Sequence, residues 1–223
     1  MSAAGRLERL ALFTDTWVPQ VNGVARTLDR LVRECERRGV DARVFTATED
    51  EPVAEDAHVE RWAARPFWAY PQLRMATPSP SRARAALERF RPSLVHVATP
   101  FGLGLSGRQA ARTLGLPLVS SYHTHFTAYL AHYNLQGLDA VSWPFLRWFH
   151  NGGERTFAPT NDVVGQLEAQ GFRGVRRWGR GIDARRFAPT HRSEALRATL
   201  GCTPDTLLVL YVGRLAPEKG VDV

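Results

Sequence analysis

Cysteine, lysine and long apolar runs are all scarce in this chain of 223 residues. The two cysteines, Cys35 and Cys202, lie far apart in the sequence, which argues against a disulfide framework and against a clustered zinc site. No apolar run approaches the ~20 residues that a membrane-spanning helix needs. Residues 1–12 also lack the charged start, apolar stretch and cleavage site of an export signal. We therefore expect a soluble protein of the cytoplasm.

The charge of the chain is one-sided. Basic residues outnumber acidic ones by 29 to 22, and Lys219 is the only lysine among them. Such a skew toward arginine is typical of G+C-rich coding. A net charge of +7 is compatible with a nucleic acid, an anionic membrane surface or a phosphate-bearing ligand as partner. Because the arginines are dispersed and no recognition motif appears, we expect no nucleic-acid partner.

Strand-like and helix-like patterns alternate along most of the chain. Apolar runs typical of strands occupy residues 7–13, 40–46, 58–62, 72–77, 93–98, 117–122, 156–158 and 175–178. Helices are predicted over residues 24–35, 80–90, 104–114, 126–150, 162–170 and 193–200. Ser79 and Pro80 are typical of a helix cap and first turn. Strands separated by helices of this length predict an α/β fold with a doubly wound parallel sheet.

The same patterns predict the domain organisation. Residues 1–179 are expected to form an N-terminal domain. Residues 180–205, which hold a turn, a proline, a short helix and another turn, are interpreted as a linker. The apolar run at residues 206–212 is predicted to be the first strand of a second domain, of which residues 206–223 are the truncated start.

The loops that follow the predicted strands are candidates for a ligand site, because ligands of open α/β sheets bind beyond the carboxyl ends of the strands. The first of these loops, residues 14–23, ends at Gly23, where a helix opens. A helix N-terminus can hold a phosphate through its free N–H groups and the positive end of its dipole. An ordinary glycine turn is the alternative. The chain has neither a GxGxxG fingerprint nor a GxxxxGK[ST] loop, so both standard nucleotide motifs are absent.

Two histidines follow or occupy predicted strands. His123 comes directly after the strand at residues 117–122, where a hydrogen-bonding or polarising role is as well supported as a structural one. His96 lies inside a strand, which favours a satisfied core histidine. His123 and His125 have the spacing of a partial metal site, but no carboxylate or cysteine lies nearby in the sequence to complete it.

Arg214 and Lys219 follow the run at residues 206–212, with four residues between them. Two converging cations suit a diphosphate, whereas the alternative is a solvated loop in which Glu218 pairs with Lys219. The acids of the candidate loops are too scattered to suggest the facing carboxylate pair of a glycosidase. No GxSxG segment indicates a serine hydrolase.

Five segments taken together are similar to the motifs of glycosyltransferase family 4. In the order and at the spacing of that family they are FTDTWVPQVNGVARTL, SSYHTHFTAYL, FHNGGERTFAPTN, WGRGIDARRFAP and YVGRLAPEKGVDV. The resemblance covers almost the whole chain and is strongest to the branch of bacterial mannosyltransferases and glycolipid glycosyltransferases. It implies the GT-B architecture of two Rossmann-like domains and transfer with retention from a nucleotide-sugar donor, either GDP-mannose or a UDP-hexose. It also implies that no metal or other cofactor takes part.

The resemblance assigns roles to individual residues of this sequence. They are the catalytic His123, the donor-binding Asn22, Gly23, Arg214 and Lys219, and the acceptor-facing Asp15 and Thr124. Many members of the family have two glycines where this chain has Asn22 and Gly23. Retention without an evident carboxylate nucleophile implies a front-face reaction, in which the departing phosphate oxygen helps to accept the proton of the acceptor.

Two further expectations concern activity and partners. The paired glutamates of the family and most of its nucleotide pocket belong to the second domain, so we expect an acceptor-side portion with little activity by itself. The alternative is a non-catalytic half that binds an acceptor or a partner.

The basic excess and the aromatic residues at 65–70 and 143–149 suit a domain that touches an anionic membrane at the inner face of the plasma membrane and takes a lipid acceptor. The alternative is that these aromatic residues belong to the core.

Overall fold

The computed structural model describes residues 7–50, 52–54, 56–67, 70–123 and 139–213. The strands among them are β1 (Arg9–Phe13), β2 (Asp41–Ala47), β3 (Val59–Trp62), β4 (Ala64–Phe67), β5 (Tyr70–Ala76), β6 (Leu94–Val97), β7 (Leu118–Ser121), β8 (Arg155–Ala158) and β9 (Val175–Arg177). The helices are α1 (Gly23–Arg37), α2 (Pro80–Phe90), α3 (Gly102–Thr113), α4 (Asp139–His150), α5 (Asn161–Ala169) and α6 (Glu194–Thr199), with a 3₁₀ turn at Pro189–His191.

Seven of these strands form one sheet in the order β3-β2-β1-β6-β7-β8-β9. Every neighbouring pair in it is parallel. β4 and β5 form a separate antiparallel pair. The chain builds outward from β1 to one edge and then from β6 to the other edge, so the direction of winding reverses between β1 and β6. This is a doubly wound, Rossmann-like sheet, and the predicted fold class is confirmed.

Helices cover both faces of the sheet, which explains why β1 is apolar along its length. Phe13 belongs to a buried cluster packed by α2 and α3. Leu12, the preceding residue, points to the opposite face and belongs to a cluster packed by α1. A third cluster, which includes Leu146 and Leu167, lies under α4 and α5. The sheet is therefore sandwiched between helices. This leaves the carboxyl ends of its strands as the place where a ligand can approach.

The helix boundaries follow the local signals with one exception. α1 is followed by Gly39, whose φ of +76° suits glycine and matches the predicted stop. α2 begins at Pro80 as predicted, but the Ser79 side chain makes no capping hydrogen bond. Instead the Ser79 amide donates to Ser106 Oγ at 2.9 Å, which ties the start of α2 to α3. Ser79 thus occupies the predicted N-cap position, where its carbonyl oxygen accepts from the Ala83 amide at 3.0 Å, but its side chain does not cap the helix.

The apolar run at residues 206–212 is neither helix nor strand. Leu207 and Val209 within it are 87% and 83% exposed. A strand needs a neighbour for its backbone N–H and C=O groups, and none of the described strands pairs with this run. The predicted strand is therefore wrong for the structure described, whereas the division into domains stays a prediction.

The long helical segment predicted at residues 126–150 is represented by α4, and residues 124–138 lie outside the described part. Among the described helices, none has the length and apolar character that crossing a membrane requires.

Candidate active site

Asp15 follows β1 at the point where the winding reverses, and it is fully buried. Its Oδ2 accepts a hydrogen bond from Thr99 Oγ1 at 2.6 Å, and its Oδ1 accepts from the amides of Ala76 and Leu103 at 3.2 and 3.3 Å. Burial raises the pKa of Asp15 to about 6, and these hydrogen bonds lower it only in part. The carboxylate thus joins the ends of β1 and β5, the β6 loop and the start of α3. No part of the Asp15 side chain is exposed in the structure described. Its acceptor-facing role stays a prediction.

The N-terminus of α3 is closed to ligands. A Cβ atom on Gly102 would lie 1.8 Å from the carbonyl oxygen of Ala76, and one on Gly104 would lie 1.6 Å from that of Thr99. Asp15 occupies the remaining space, with its carboxylate at the positive end of the helix dipole. The phosphate-binding capacity of this helix end is therefore used within the protein.

The N-terminus of α1 is open. Asn22 caps the helix, because its Oδ1 accepts from the Ala25 amide at 2.8 Å while its Nδ2 donates to Thr16 Oγ1 at 2.8 Å. Gly23 is exposed, and no described residue accepts a hydrogen bond from its amide. Among the described residues outside the first turns of α1, the Nη1 atom of Arg180 alone would lie within 4 Å of a Cβ at Gly23, at 3.6 Å. The N-terminus of α1 is thus accessible, as the predicted donor site requires. The Asn22 side chain, however, is engaged in capping the helix.

Arg180 follows β9 and reaches across this opening. Its Nη2 donates to the carbonyl oxygen of His123 at 2.8 Å, and its Nη1 lies beside Gly23. Its Nε is buried and has no hydrogen-bond partner among the described residues. Burial lowers the pKa of Arg180, but a guanidinium does not lose its proton in proteins, so the side chain stays charged at pH 7. A cation therefore stands between the first loop and the end of β7.

Residues 179–183 follow the strand predicted at residues 175–178 and so belong to the candidate loops, but the sequence patterns did not single out Arg180. The available signal was a cation between two glycines, Gly179 and Gly181, directly after a strand. Its role became visible only when β9 took its place in the sheet.

His123 lies at the carboxyl end of β7 and is partly exposed. Its Nε2 is 2.7 Å from Ser121 Oγ, and its ring packs edge-on against Trp178 with 5.7 Å between centroids. Burial lowers the pKa of His123 to about 3, and the positive charge of Arg180 adds to this effect. The imidazole is therefore neutral at pH 7, so it can donate or accept a hydrogen bond but does not serve as a cation.

His96 is a buried core histidine, and that prediction is confirmed. It is 3% exposed, and its Nε2 lies 2.9 Å from Ser121 Oγ. Burial lowers its pKa to about 4. The sequence interpretation did not connect it with His123, yet the two histidines share the Ser121 hydroxyl. That connection depends on β6 and β7 being neighbours.

The structure brings Gly23, Arg180 and His123 together at the carboxyl edge of the sheet. Asp15 lies beneath that edge, within the protein. Thr124, Arg214 and Lys219 lie outside the described residues. Across the described ranges, no group of three or more histidine, cysteine or acidic side chains is arranged to hold a metal ion.

Comparison with known proteins identifies the family. Residues 21–186 match the profile of Glycosyltransferase Family 4, which is well over half of the chain. The chain belongs to glycosyltransferase family 4. The resemblance drawn from the sequence motifs is therefore confirmed.

Two relatives and one solved structure place this member within the family. A GDP-mannose-dependent alpha-mannosyltransferase of Mycobacterium tuberculosis is 37% identical over 96% of this chain and 58% of its own length. An alpha-monoglucosyldiacylglycerol synthase of Streptococcus pneumoniae is 30% identical over 96% of this chain and 50% of its own length. Sucrose-phosphate synthase from Thermosynechococcus elongatus superposes with a TM-score of 0.70 at 17% identity, over 96% of this chain and 58% of that one. The last likeness establishes the fold alone, and the chain spans between 50% and 58% of the length of these proteins.

Proposed function

We propose that this family 4 member acts in a retaining glycosyltransferase, which moves a hexose from a nucleotide-sugar to a lipid or glycan acceptor. The observation that carries the proposal is the convergence of the open α1 N-terminus at Gly23, the Arg180 cation and the neutral His123 at one edge of the sheet. Similarity to GDP-mannose-dependent alpha-mannosyltransferases supports GDP-mannose rather than a UDP-hexose as donor.

The open end of α1 and Arg180 would receive the donor diphosphate. Breaking the sugar–phosphate bond develops negative charge on the leaving phosphate, and preorganised N–H groups and cations at that point lower the barrier. In the proposed reaction Arg214 and Lys219 add two more cations, as the family resemblance implies. Arg180 lies in one of the five family-like segments but received no role from the resemblance, and it extends the cationic set to the end of β9.

His123 would bind the transferred sugar. A neutral imidazole suits a hydrogen bond to a sugar hydroxyl, because it introduces no charge that would compete with the diphosphate for the cations. In the front-face route the proton of the acceptor hydroxyl passes to the departing phosphate oxygen, so no protein carboxylate has to attack the sugar. The proposed reaction needs no metal or cofactor, and EDTA should leave its rate unchanged.

The catalytic proposal is tested in the full-length protein with GDP-mannose and a diacylglycerol-based acceptor. His123→Ala should lower kcat by about 100-fold, since it removes a hydrogen bond that acts at the reacting sugar. His58→Ala, at an exposed histidine far from this edge in the sheet, is the matched control and should leave kcat unchanged. Turnover of His123→Ala equal to that of the control would overturn the catalytic role. Tight binding of GDP-mannose without any transfer by the unsubstituted protein would favour the non-catalytic alternative.

A lipid acceptor would also require contact with a membrane surface, which we place at the inner face of the plasma membrane. Within residues 143–149, Phe149 is buried in the core, whereas Trp148 is 53% exposed. An exposed tryptophan and a net charge of +7 support binding to anionic lipid. Sedimentation with vesicles should show binding when phosphatidylglycerol is present and its loss at high salt. Equal binding to neutral vesicles would contradict an electrostatic contact.

A further inference from the structure

We propose that Ser121 is a positioning residue, whose single hydroxyl hydrogen, placed between His96 and His123, holds His123 as the Nδ1–H tautomer and so makes it a hydrogen-bond donor to the ligand. The identity of that ligand rests on the proposed function. The tautomer itself follows from the geometry of the three side chains and from the neutrality of both rings.

The three side chains form a continuous chain of hydrogen bonds. Ser121 Oγ lies 2.9 Å from His96 Nε2 and 2.7 Å from His123 Nε2, and Ser121 is 2% exposed. A hydroxyl has one hydrogen, so it can donate to only one of these two nitrogens. The other nitrogen must carry its own hydrogen and donate to Oγ. Since both rings are neutral at pH 7, each carries one hydrogen, and the tautomer of one histidine dictates that of the other.

The surroundings of His96 decide whether the Ser121 hydroxyl donates to His96 or to His123. Its ring is almost fully buried and packs edge-on against Phe157 and Trp178, with centroids 6.5 and 6.1 Å away. No described residue forms a hydrogen bond with His96 Nδ1. A buried N–H without an acceptor is rarer and more costly than a lone pair without a donor. His96 should therefore leave Nδ1 bare and carry its hydrogen on Nε2.

The protonation of His96 at Nε2 fixes the direction of the other hydrogen bond in this group. His96 Nε2–H donates to Ser121 Oγ, and the Ser121 hydroxyl then donates to His123 Nε2. His123 accepts at Nε2, so its own hydrogen lies on Nδ1, the ring nitrogen that forms no hydrogen bond to a described residue. The Nδ1–H group can donate to the oxygen lone pairs of a sugar hydroxyl or a phosphate. Neutral histidine in water prefers the opposite tautomer, with hydrogen on Nε2, so the expectation is specific to this environment.

The charged groups around His123 act in the same direction. Arg180 donates to the His123 carbonyl oxygen, and its positive charge disfavours a second cation on the His123 ring. His96 and His150 are neutral at pH 7 and supply no negative charge that would favour the imidazolium form. Within the described part of the chain, no acidic side chain raises the pKa of His123. The imidazolium form is therefore disfavoured, and the donor face persists across neutral pH without any change of charge.

The direct test is the ¹⁵N chemical shift of each imidazole nitrogen, measured by long-range ¹H–¹⁵N correlation at pH 7 on the full-length protein. We expect protonated Nδ1 in His123 and protonated Nε2 in His96. Ser121→Ala should move His123 toward the Nε2–H form, and Ser121→Thr, which keeps the hydroxyl, should restore Nδ1–H. Protonated Nε2 on His123 in the unsubstituted protein would overturn the proposal.

Ser120→Ala is the matched control from the same strand. Ser120 points to the opposite face of β7, where its Oγ lies 2.8 Å from His150 Nδ1 and 3.1 Å from Thr156 Oγ1. This substitution should alter the signals of His150 and leave those of His123 in place. A change at His123 of the same size as that in Ser121→Ala would mean that general loosening of β7 is the cause, and the proposal would fall.

Activity gives a second and separate readout. Ser121→Ala should lower kcat by about 10-fold, the scale typical of groups that orient a ligand-binding histidine, with little change in the KM for the donor. In a His123→Ala background the same substitution should have no further effect, because the residue through which Ser121 acts is gone. A full additional loss there would contradict positioning through His123. The expected tautomer together with a catalytically silent His123 would refute the proposed function and leave the tautomer assignment intact.

Discussion

Two helices begin beside the point where the sheet reverses its winding, and their N-termini have opposite fates. The end of α3 is filled by the buried Asp15 carboxylate, and its glycines Gly102 and Gly104 press against backbone carbonyls. The end of α1 is capped by Asn22 but exposes Gly23 to solvent. Both ends offer the same free amides and the same dipole. The N-terminus of α3 therefore anchors the fold, whereas the N-terminus of α1 is left for a ligand.

The largest expected effect comes from disturbing the closed end. Gly104→Ala places a methyl group 1.6 Å from the Thr99 carbonyl oxygen, so the backbone must move. We expect a loss of at least about 4 kcal/mol in the free energy of unfolding, measured by urea denaturation. Gly165→Ala, inside α5 with nothing within 4 Å of its Cβ, is the matched control and should stabilise by about 0.5–1 kcal/mol. Equal effects of the two substitutions would mean that α3 is not tightly held.

Removing the carboxylate from the closed end should have the next largest effect. Asp15→Ala leaves the amides of Ala76 and Leu103 and the Thr99 hydroxyl without their acceptor. We expect a loss of about 3 kcal/mol in unfolding free energy. Hydrogen exchange should also speed up at the first amides of α3 and stay unchanged in α1. Uniform acceleration in both helices would contradict a local anchoring role.

The pH dependence of stability reports on the same carboxyl group. Its pKa is raised to about 6 in the folded state from 3.8, so the folded protein holds this proton more tightly than the unfolded chain between about pH 4 and 6. The contribution of Asp15 to stability therefore falls as the pH rises through that range, by about 2–3 kcal/mol. The measurement is the difference in unfolding free energy between the protein and Asp15→Asn at each pH. The lowered pKa values of the buried histidines affect both proteins alike and cancel in that difference, so a flat difference would contradict the raised pKa.

The smallest effect on stability is expected at the open end, where function should respond instead. Gly23→Ala would meet only the Arg180 guanidinium, at an ordinary contact distance of 3.6 Å. Stability should change by less than about 0.5 kcal/mol. Affinity of the full-length protein for GDP, measured by calorimetry, should fall, because the methyl group stands where the diphosphate would approach the amides. Unchanged affinity would remove α1 from the proposed donor site.

Local patterns predicted the elements of this fold well where one short signal decides the structure. The run in β1 is apolar on both faces, and α1 repeats its apolar residues at helical spacing before Gly39. The β4–β5 pair was missed, since only the second of its two strands had a recognisable pattern. The strand predicted at residues 206–212 is absent, because a continuous apolar run forms a strand only if another strand stands beside it.

The sequence by itself determined the element types, the parallel α/β class, the family and two residues that meet in the site, Gly23 and His123. Only the tertiary structure decided that Asp15 is sealed beneath α3, that Arg180 reaches His123, and that Ser121 connects two histidines. The partners in these contacts are separated by 88, 57 and 25 residues along the chain. Hydrogen bonds act over about 3 Å, so they exist only after the strand order has been set. Strand order depends on the burial of whole faces, which no short segment records.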